Sequence, residues 1–383
     1  MTDGLRGKAA VVGVGLSRTG EVRGFNSLEL MAEASMNALA DCGLSLKDVD
    51  GLFVGSTTNA MATVSAAEFL GIRPRYAAGT FIGGAAFVAN AIDATMALNA
   101  GLCDVALIAY GSNQRTAGGK LVVISEQQPY EMDYKPVYPI TSYALAAARH
   151  MHQYGTTREH LAEVAVAARQ WARLNPRAFR REPLSIDEVL ASQIIARPLS
   201  KLDCCLVTDG GAAAIMVRSE RAKDFPRKPA YFLGGAAETT HRQIAQMPDL
   251  TVTGAARSGP RAFEMARLAP ADVDVVQLYD AFTINTIMFL EDLGFCPKGE
   301  GGRFVSGGNI APGGSLPVNT NGGGLSCVHP GMYGLFLLVE AIEQLRRCGG
   351  DRQVANADVA LIHGNGGVLS SQVTAIFGNE ATL

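Results

Sequence analysis

An α/β fold in which one unit is written twice is what this sequence predicts, and three observations predict it. Apolar, β-branched runs alternate with small-residue amphipathic stretches along the chain. The pentapeptide DVALI occurs twice, at 104–108 and again at 358–362. A second pair, DVDGLFVGS at 48–56 and DVDVVQLYD at 272–280, precedes the two pentapeptides in the same order. One five-letter match arises by chance, but two elements recurring in a fixed order imply duplication. Each copy's sheet then needs its partner for burial, and a cleft is expected where strand ends and helix starts of the two halves meet.

The elements follow from these patterns. AAVVGVG at 9–15 reads as a buried strand, and SLELMAEASMNALADCG at 27–43 as an amphipathic helix ended by glycine. GLFVGS at 51–56 is the next strand. The helical GGAAFVANAIDATMALNAG leads into the first DVALI, and GMYGLFLLVEAIEQLRRCGG leads through a short loop into the second. AAIMV at 213–217 and VVQLYD at 275–280 supply further strands. Residues 118–202 differ, being richer in Arg, Tyr, His and Pro. Within them 156–183 carries six arginines and the only tryptophan, Trp171. This stretch reads as a helical insertion over the cleft. Its arginines are either a solvated surface or contacts for ligand phosphates. The expected organisation is an N-terminal half over 1–117, continued by about 203–256, the helical insertion over 118–202, and a C-terminal half over 257–383.

Composition excludes several function classes. The 33 Lys and Arg against 36 Asp and Glu give a net charge of −3 with no lysine-rich block, which argues against nucleic acid as a partner. No apolar run reaches the ~18 residues of a membrane span, and the first residues lack the pattern of a signal peptide, so a cytoplasmic location is expected. The seven cysteines are odd in number and form no CxxC, so they read as reduced thiols, with the adjacent Cys204 and Cys205 as packing residues. No zinc-type spacing occurs, and no metal is expected. His150 and His152 read as a solvated helix face.

Four stretches carry a resemblance. TDGGAAAIM at 208–216, YDAF at 279–282, NTNGGGLSCVHPGMYG at 319–334 and HGNGG at 363–367 resemble the signature loops of the thiolase superfamily, most closely its lipid-transfer-protein-type branch. GTTREHLAEVAV at 155–166 is similar to the start of that family's lid. The resemblance covers nearly the whole chain. It implies a doubled, five-layered αβαβα body with a helical lid domain, working as a dimer or tetramer on coenzyme A thioesters. Coenzyme A would enter as part of the substrate, with no separate cofactor. Members of this branch also pair with a small OB-fold, zinc-ribbon protein, so such a partner is expected alongside a homodimer.

The sequence departs from the family at its chemistry. The nucleophilic cysteine's place in GTFIGGAAF falls on Gly84, or on Gly83 with a one-residue slip. The proton-shuttle cysteine is replaced in His363-Gly364-Asn365, and the family's NEAF asparagine becomes Tyr279. His329 stands at the catalytic histidine. Transfer through a cysteine at the usual place is therefore chemically closed. Retro-aldol cleavage of a β-hydroxyacyl-CoA needs no covalent intermediate, only a base and donors for the enolate oxygen. The resemblance makes His329 and Tyr279 the principal candidates, with Tyr333 and His363 as further acid/base candidates. Backbone amides near Gly84 and Asn365 would cradle the oxyanion. Asp280 is expected to anchor the site from behind rather than react. Two alternatives stay open: acyl transfer with Cys327 as a relocated nucleophile, and a non-catalytic subunit that binds CoA esters.

Overall fold

The computed structural model describes residues 4–118 and 130–383, so the part of the expected insertion at 119–129 lies outside the described residues. The chain runs β1 (Ala9–Leu16), α1 (Ser27–Cys42), β2 (Gly51–Val54), α2 (Ala62–Leu70), β3 (Tyr76–Ala78), α3 (Ala86–Asn99), β4 (Val105–Ser112) and a short α4 (Gln114–Gly118). Then come α5 (Ile140–Tyr154), α6 (Arg158–Arg173), α7 (Ile186–Ala191) and a hairpin of β5 (Ile194–Ala196) and β6 (Leu199–Ser200). The remainder is β7 (Gly210–Arg218), β8 (Ala230–Thr239), α8 (Ala255–Ala266), β9 (Val275–Leu278), α9 (Thr283–Asp292), α10 (Gly301–Val305), α11 (Gly334–Leu345), β10 (Val359–Gly366) and β11 (Ser371–Gly378).

Nine strands form one mixed sheet in the order β3-β2-β4-β7-β1-β8-β11-β10-β9. Its two halves join only through β1 and β8, by the pairs Ala10–Tyr231 and Val11–Ala230. Helix α1 packs on β1, β4 and β7, and α8 packs on β8 and β11, one helix for each half. Helices α3 and α11 touch each other and strands of both halves, so they form the middle layer of a five-layered αβαβα stack. Apart from β3 and the end of β8, the strands of this sheet are apolar runs with no exposed residue, as a sheet covered on both sides requires.

The duplication extends to single hydrogen bonds. Asp50 Oδ1 accepts from the amides of Asp104 and Val105, each at 2.8 Å, where the first DVALI strand begins. Asp274 Oδ2 accepts from Asp358 and Val359 at 2.8 and 2.9 Å, where the second begins. The last aspartate of each DVD therefore caps the start of its own DVALI strand. The outer strand β3 has its counterpart only in a single parallel bridge between Val276 and Val318.

One expectation about the insertion needs correction. His150 is not on a solvated face. It is fully buried, with Nε2 3.0 Å from Glu291 and Nδ1 2.8 Å from Thr156 Oγ1. Glu291 also meets Lys298 at 3.1 Å, so the histidine belongs to a polar cluster joining α5 to α9. The insertion's arginines divide: Arg173, Arg180 and Arg181 are exposed, as on a solvated surface, and the other three are held by protein groups. Arg158 donates to the Leu190 carbonyl, Arg169 to Ser326 Oγ and the Glu182 carbonyl, and Arg177 to Glu343. Among the described residues no helix is long and apolar enough to cross a membrane.

Candidate active site

Two glycine-rich loops, one from each half, meet backbone to backbone. Helix α3 starts after a tight turn at Gly83–Ala85, and β10 ends in the HGNGG stretch. A Cβ on Gly366 would collide with the Ile82 carbonyl, and one on Gly83, itself at φ +69°, would press on the backbone of Gly366 and Gly367. Only glycine permits this backbone-on-backbone approach.

Tyr279 leaves the end of β9 and lays its ring against Gly84. A Cβ on Gly84 would overlap Tyr279 Cε2, Cζ and Oη, so the phenol fills the space a side chain at 84 would need. Its oxygen lies 3.1 Å from His329 Nε2 and 3.2 Å from the Gly331 carbonyl oxygen, and accepts the Tyr333 amide at 3.2 Å. A phenol has one proton, so Tyr279 donates either to Gly331 or to His329, and the proton can swing between carbonyl and imidazole. Among the described residues His329 Nδ1 has no hydrogen-bond partner.

Burial sets the charge state of this pair. It pushes the His329 imidazole down to about 4. It pushes the Tyr279 phenol well above its ordinary value, with the nearby Cys205 adding to the effect. At neutral pH the pair is thus a neutral imidazole facing a protonated phenol. The backbone around His329 is fixed from β7's approach: its amide donates to Thr208 Oγ1 at 3.0 Å, and its carbonyl accepts from Gln114 Nε2 at 3.1 Å.

A cavity of about 620 Å³ opens beside the pair. Tyr279, His329, Gly84 and Asn365 lie on its wall, together with apolar Phe81, Phe282, Met332 and Val368. Tyr138, Pro139 and Tyr143, at and just before the start of α5, cover one side.

Four other sequence candidates do not line this cavity. Tyr333 is fully buried and turns its hydroxyl to Asn321 Oδ1 at 3.0 Å, so its contribution to Tyr279 is its backbone amide. His363 lies behind the wall, with Nδ1 2.9 Å from Thr374 Oγ1, Nε2 2.8 Å from Gln372 Oε1 and its edge on Phe289. Asp280 Oδ1 accepts the Gly324 amide at 2.6 Å and Oδ2 the Leu325 amide at 3.3 Å, which ties down the loop before His329. Cys327 sits on the far side of that loop beside Asn175, and burial raises its thiol to about 12.

Sequence reasoning missed three cavity-side residues. Cys205 lies on the wall, although its position before a strand read as packing. Burial, then the neighbouring Cys204 and Asp280, keep that thiol well above its ordinary range. Tyr143 comes from an unremarkable helical stretch, ITSYALAAA, whose pattern marks only its apolar face. Gln372, one layer behind the wall, sits within an otherwise ordinary strand and joins His363 to Asn365.

A doubled αβαβα body, with a glycine-rich turn and a phenol–imidazole pair beside one cavity, defines a thiolase-type enzyme. Comparison with known proteins gives the family. Residues 236–379 match the model described as thiolase C-terminal domain-like. An acetyl-CoA acetyltransferase of Methanothermobacter thermautotrophicus is 33% identical over 383 residues, covering 96% of this chain and 98% of that protein. A 17-hydroxy-3-oxo-4-pregnene-20-carboxyl-CoA lyase of Mycobacterium tuberculosis is 34% identical over 360 residues, covering 89% of this chain and 92% of the lyase. Among solved structures, an Ltp2-ChsH2(DUF35) aldolase superposes with a TM-score of 0.90 at 31% identity, covering 99% of this chain and 100% of that one. The chain belongs to the thiolase superfamily, in its sterol-carrier-protein-2 thiolase-like branch.

Proposed function

We propose that this enzyme cleaves the Cα–Cβ bond of a β-hydroxyacyl-CoA by a retro-aldol route. The observation that carries the reading is the Tyr279 phenol, which occupies the space beside Gly84 and bonds to a neutral His329. Tyr279 Oη takes the β-hydroxyl proton while its own proton passes to His329 Nε2. The Cα–Cβ bond breaks, the β-carbon becomes a ketone or aldehyde, and the electron pair moves into the thioester enolate. The proton returns to Cα, giving a shortened acyl-CoA. No oxidant or covalent enzyme intermediate is needed. Backbone amides of the two glycine loops, at Gly84 and Asn365, face the developing oxyanion in this scheme. Relatives named as a steroid side-chain-cleaving aldolase and a carboxyl-CoA lyase support this reaction class. The substrate is an acyl-CoA with an apolar acyl chain, as the cavity's walls suggest.

An acyltransferase reading has a specific observation in its favour, the acetyltransferase relative. It needs a thiol at the cavity, and among the described residues Cys205 is the one on the wall. That thiol is held protonated, and His329 makes no hydrogen bond to it. The geometry therefore favours the aldol route.

The working assembly is a homodimer joined by a small OB-fold, zinc-ribbon partner. Phe81 lines the cavity yet is 55% exposed, and Met61, Val64 and Phe69 stand exposed on and beside α2, near the outer strand β3. Such surface suits cover by other chains. The solved aldolase with a DUF35 component supports a partner of this kind. Turnover of β-hydroxyacyl-CoA tests the proposal. Tyr279→Phe and His329→Ala are expected to abolish it, and full activity in Tyr279→Phe would refute the role assigned. Light scattering, and co-expression with the partner, test the assembly.

A further inference from the structure

Behind the cavity wall runs a buried chain of polar side chains in which every hydrogen points the same way. It ends on a main-chain oxygen, since Tyr143 Oη lies 2.9 Å from the Gly367 carbonyl. A carbonyl cannot donate, so the phenol spends its one proton there and can only accept from Asn365 Nδ2, at 2.8 Å. Asn365 Oδ1 then accepts from Gln372 Nε2 at 2.8 Å, and Gln372 Oε1 from His363 Nε2–H at 2.8 Å. His363 Nδ1, left as the lone pair, accepts from Thr374 Oγ1 at 2.9 Å, and Thr374 accepts from Ser258 Oγ at 2.9 Å. Flipping either amide would set a donor against a donor or an acceptor against an acceptor at one link. The direction is thus fixed by the Gly367 terminus, and buried chains of this kind polarise cooperatively.

The chain leaves one hydrogen over. The Asn365 carboxamide has two N–H groups, one spent on Tyr143, and Asn365 lies on the cavity wall. Asn365 is also the penultimate residue of β10, which runs parallel to β9 with His363 opposite Leu278, so it stands at the strand end next to the one from which Tyr279 departs. Ends of adjacent parallel strands lie about 5 Å apart, the span of the two oxygens on a β-hydroxyacyl thioester.

We propose that the Asn365 side-chain amide donates to the thioester oxygen of the substrate and its enolate, opposite the Tyr279–His329 pair that handles the β-oxygen. Gln372 and His363 are positioning residues that hold the carboxamide donor-side inward. The proposal rests on the retro-aldol reading and deepens it by dividing the two substrate oxygens between two poles.

The test joins kinetics to a readout that needs no turnover. In Asn365→Ala, kcat is expected to fall ~100-fold while KM stays within about threefold, as for loss of one oxyanion donor. Gln372→Glu keeps the shape but offers Asn365 Oδ1 no N–H, so the carboxamide turns over and kcat falls by a similar factor. Infrared spectra of bound acetyl-CoA labelled with carbon-13 at the carbonyl then locate the donor. The parent lowers the carbonyl band relative to free acetyl-CoA, and both variants return it toward the free value. An unchanged band, or kcat within about threefold of the parent in both folded variants, overturns the proposal. Tyr279→Phe in the same assay separates the levels. If that variant is dead while both others are fully active, only the role of Asn365 fails. If it is fully active, the retro-aldol reading fails and takes the proposal with it.

Discussion

Replacing Gly84 with alanine adds one methyl group at the point where the phenol of Tyr279 rests. Carbon atoms pack at roughly 3.5–4 Å. The new Cβ would overlap Cε2, Cζ and Oη together, roughly 1 Å or more inside that limit. The ring has little room to step aside. It is 4% exposed and meets the rings of His329 and Tyr333 edge-on, at centroid distances of 5.5 and 5.8 Å. Over-packing of this kind costs about 1–3 kcal/mol of stability. A ring shift of about 1 Å would break the 3.1 Å bond to His329, and a displacement that size lowers turnover ~100-fold. The assay is release of acyl-CoA from a β-hydroxyacyl-CoA, with denaturant melts of the same samples. A double-mutant cycle isolates the clash: in a Tyr279→Ala background, Gly84→Ala should cost less than about 0.5 kcal/mol. Full activity in Gly84→Ala, or an equal stability cost in both backgrounds, would refute the claim that the phenol occupies the side-chain space of residue 84.

Other expectations follow from the same coordinates. With His329 held down to about 4, the imidazole stays neutral through the physiological range, so kcat should be flat on acidification and fall only near pH 4. An acid limb at about 6.5, the ordinary histidine value, would contradict the burial argument. His363 is also depressed to about 4, so the unfolded chain binds more protons as pH falls from about 6.5 towards 4, and its stabilising contribution is lost across that window. His363→Gln should therefore lose less stability than the parent between those two pH values in denaturant titrations. Cys205→Ala and Cys327→Ala should each keep kcat, and a large loss in either would revive a thiol mechanism. His150→Ala should lower the unfolding free energy by about 3 kcal/mol, because it strips a buried partner from Glu291, and a near-zero change would mean Lys298 and the Gly301 amide satisfy that carboxylate without it.

The duplication was legible because it is written in side chains that cap their own copy's strand. Asp50 and Asp274 hold the starts of the two DVALI strands, so motif and structure are the same fact. His329 and Tyr279 were legible for a related reason: each sits in a compact motif at a strand or helix end. Their meeting at 3.1 Å depends on Gly84 leaving space, which the missing cysteine already implied. What could not be read was contact between residues far apart in the chain with no local signature. Tyr143 meets Asn365 across 222 positions, and His150 meets Glu291 across 141. Helical spacing marked both only as members of α5. Cys205 failed differently, since small buried thiols look alike in sequence whether they face a core or a cavity.

The central claim is that a phenol and an imidazole, with no thiol, carry the bond cleavage. Intact-protein mass spectrometry of the enzyme, quenched during steady turnover of a β-hydroxyacyl-CoA, tests it most directly. The account predicts an unmodified chain while carbonyl product and acyl-CoA appear in equal amounts. An acyl adduct that forms and decays at the turnover rate, mapped to Cys205 or Cys327, would contradict it.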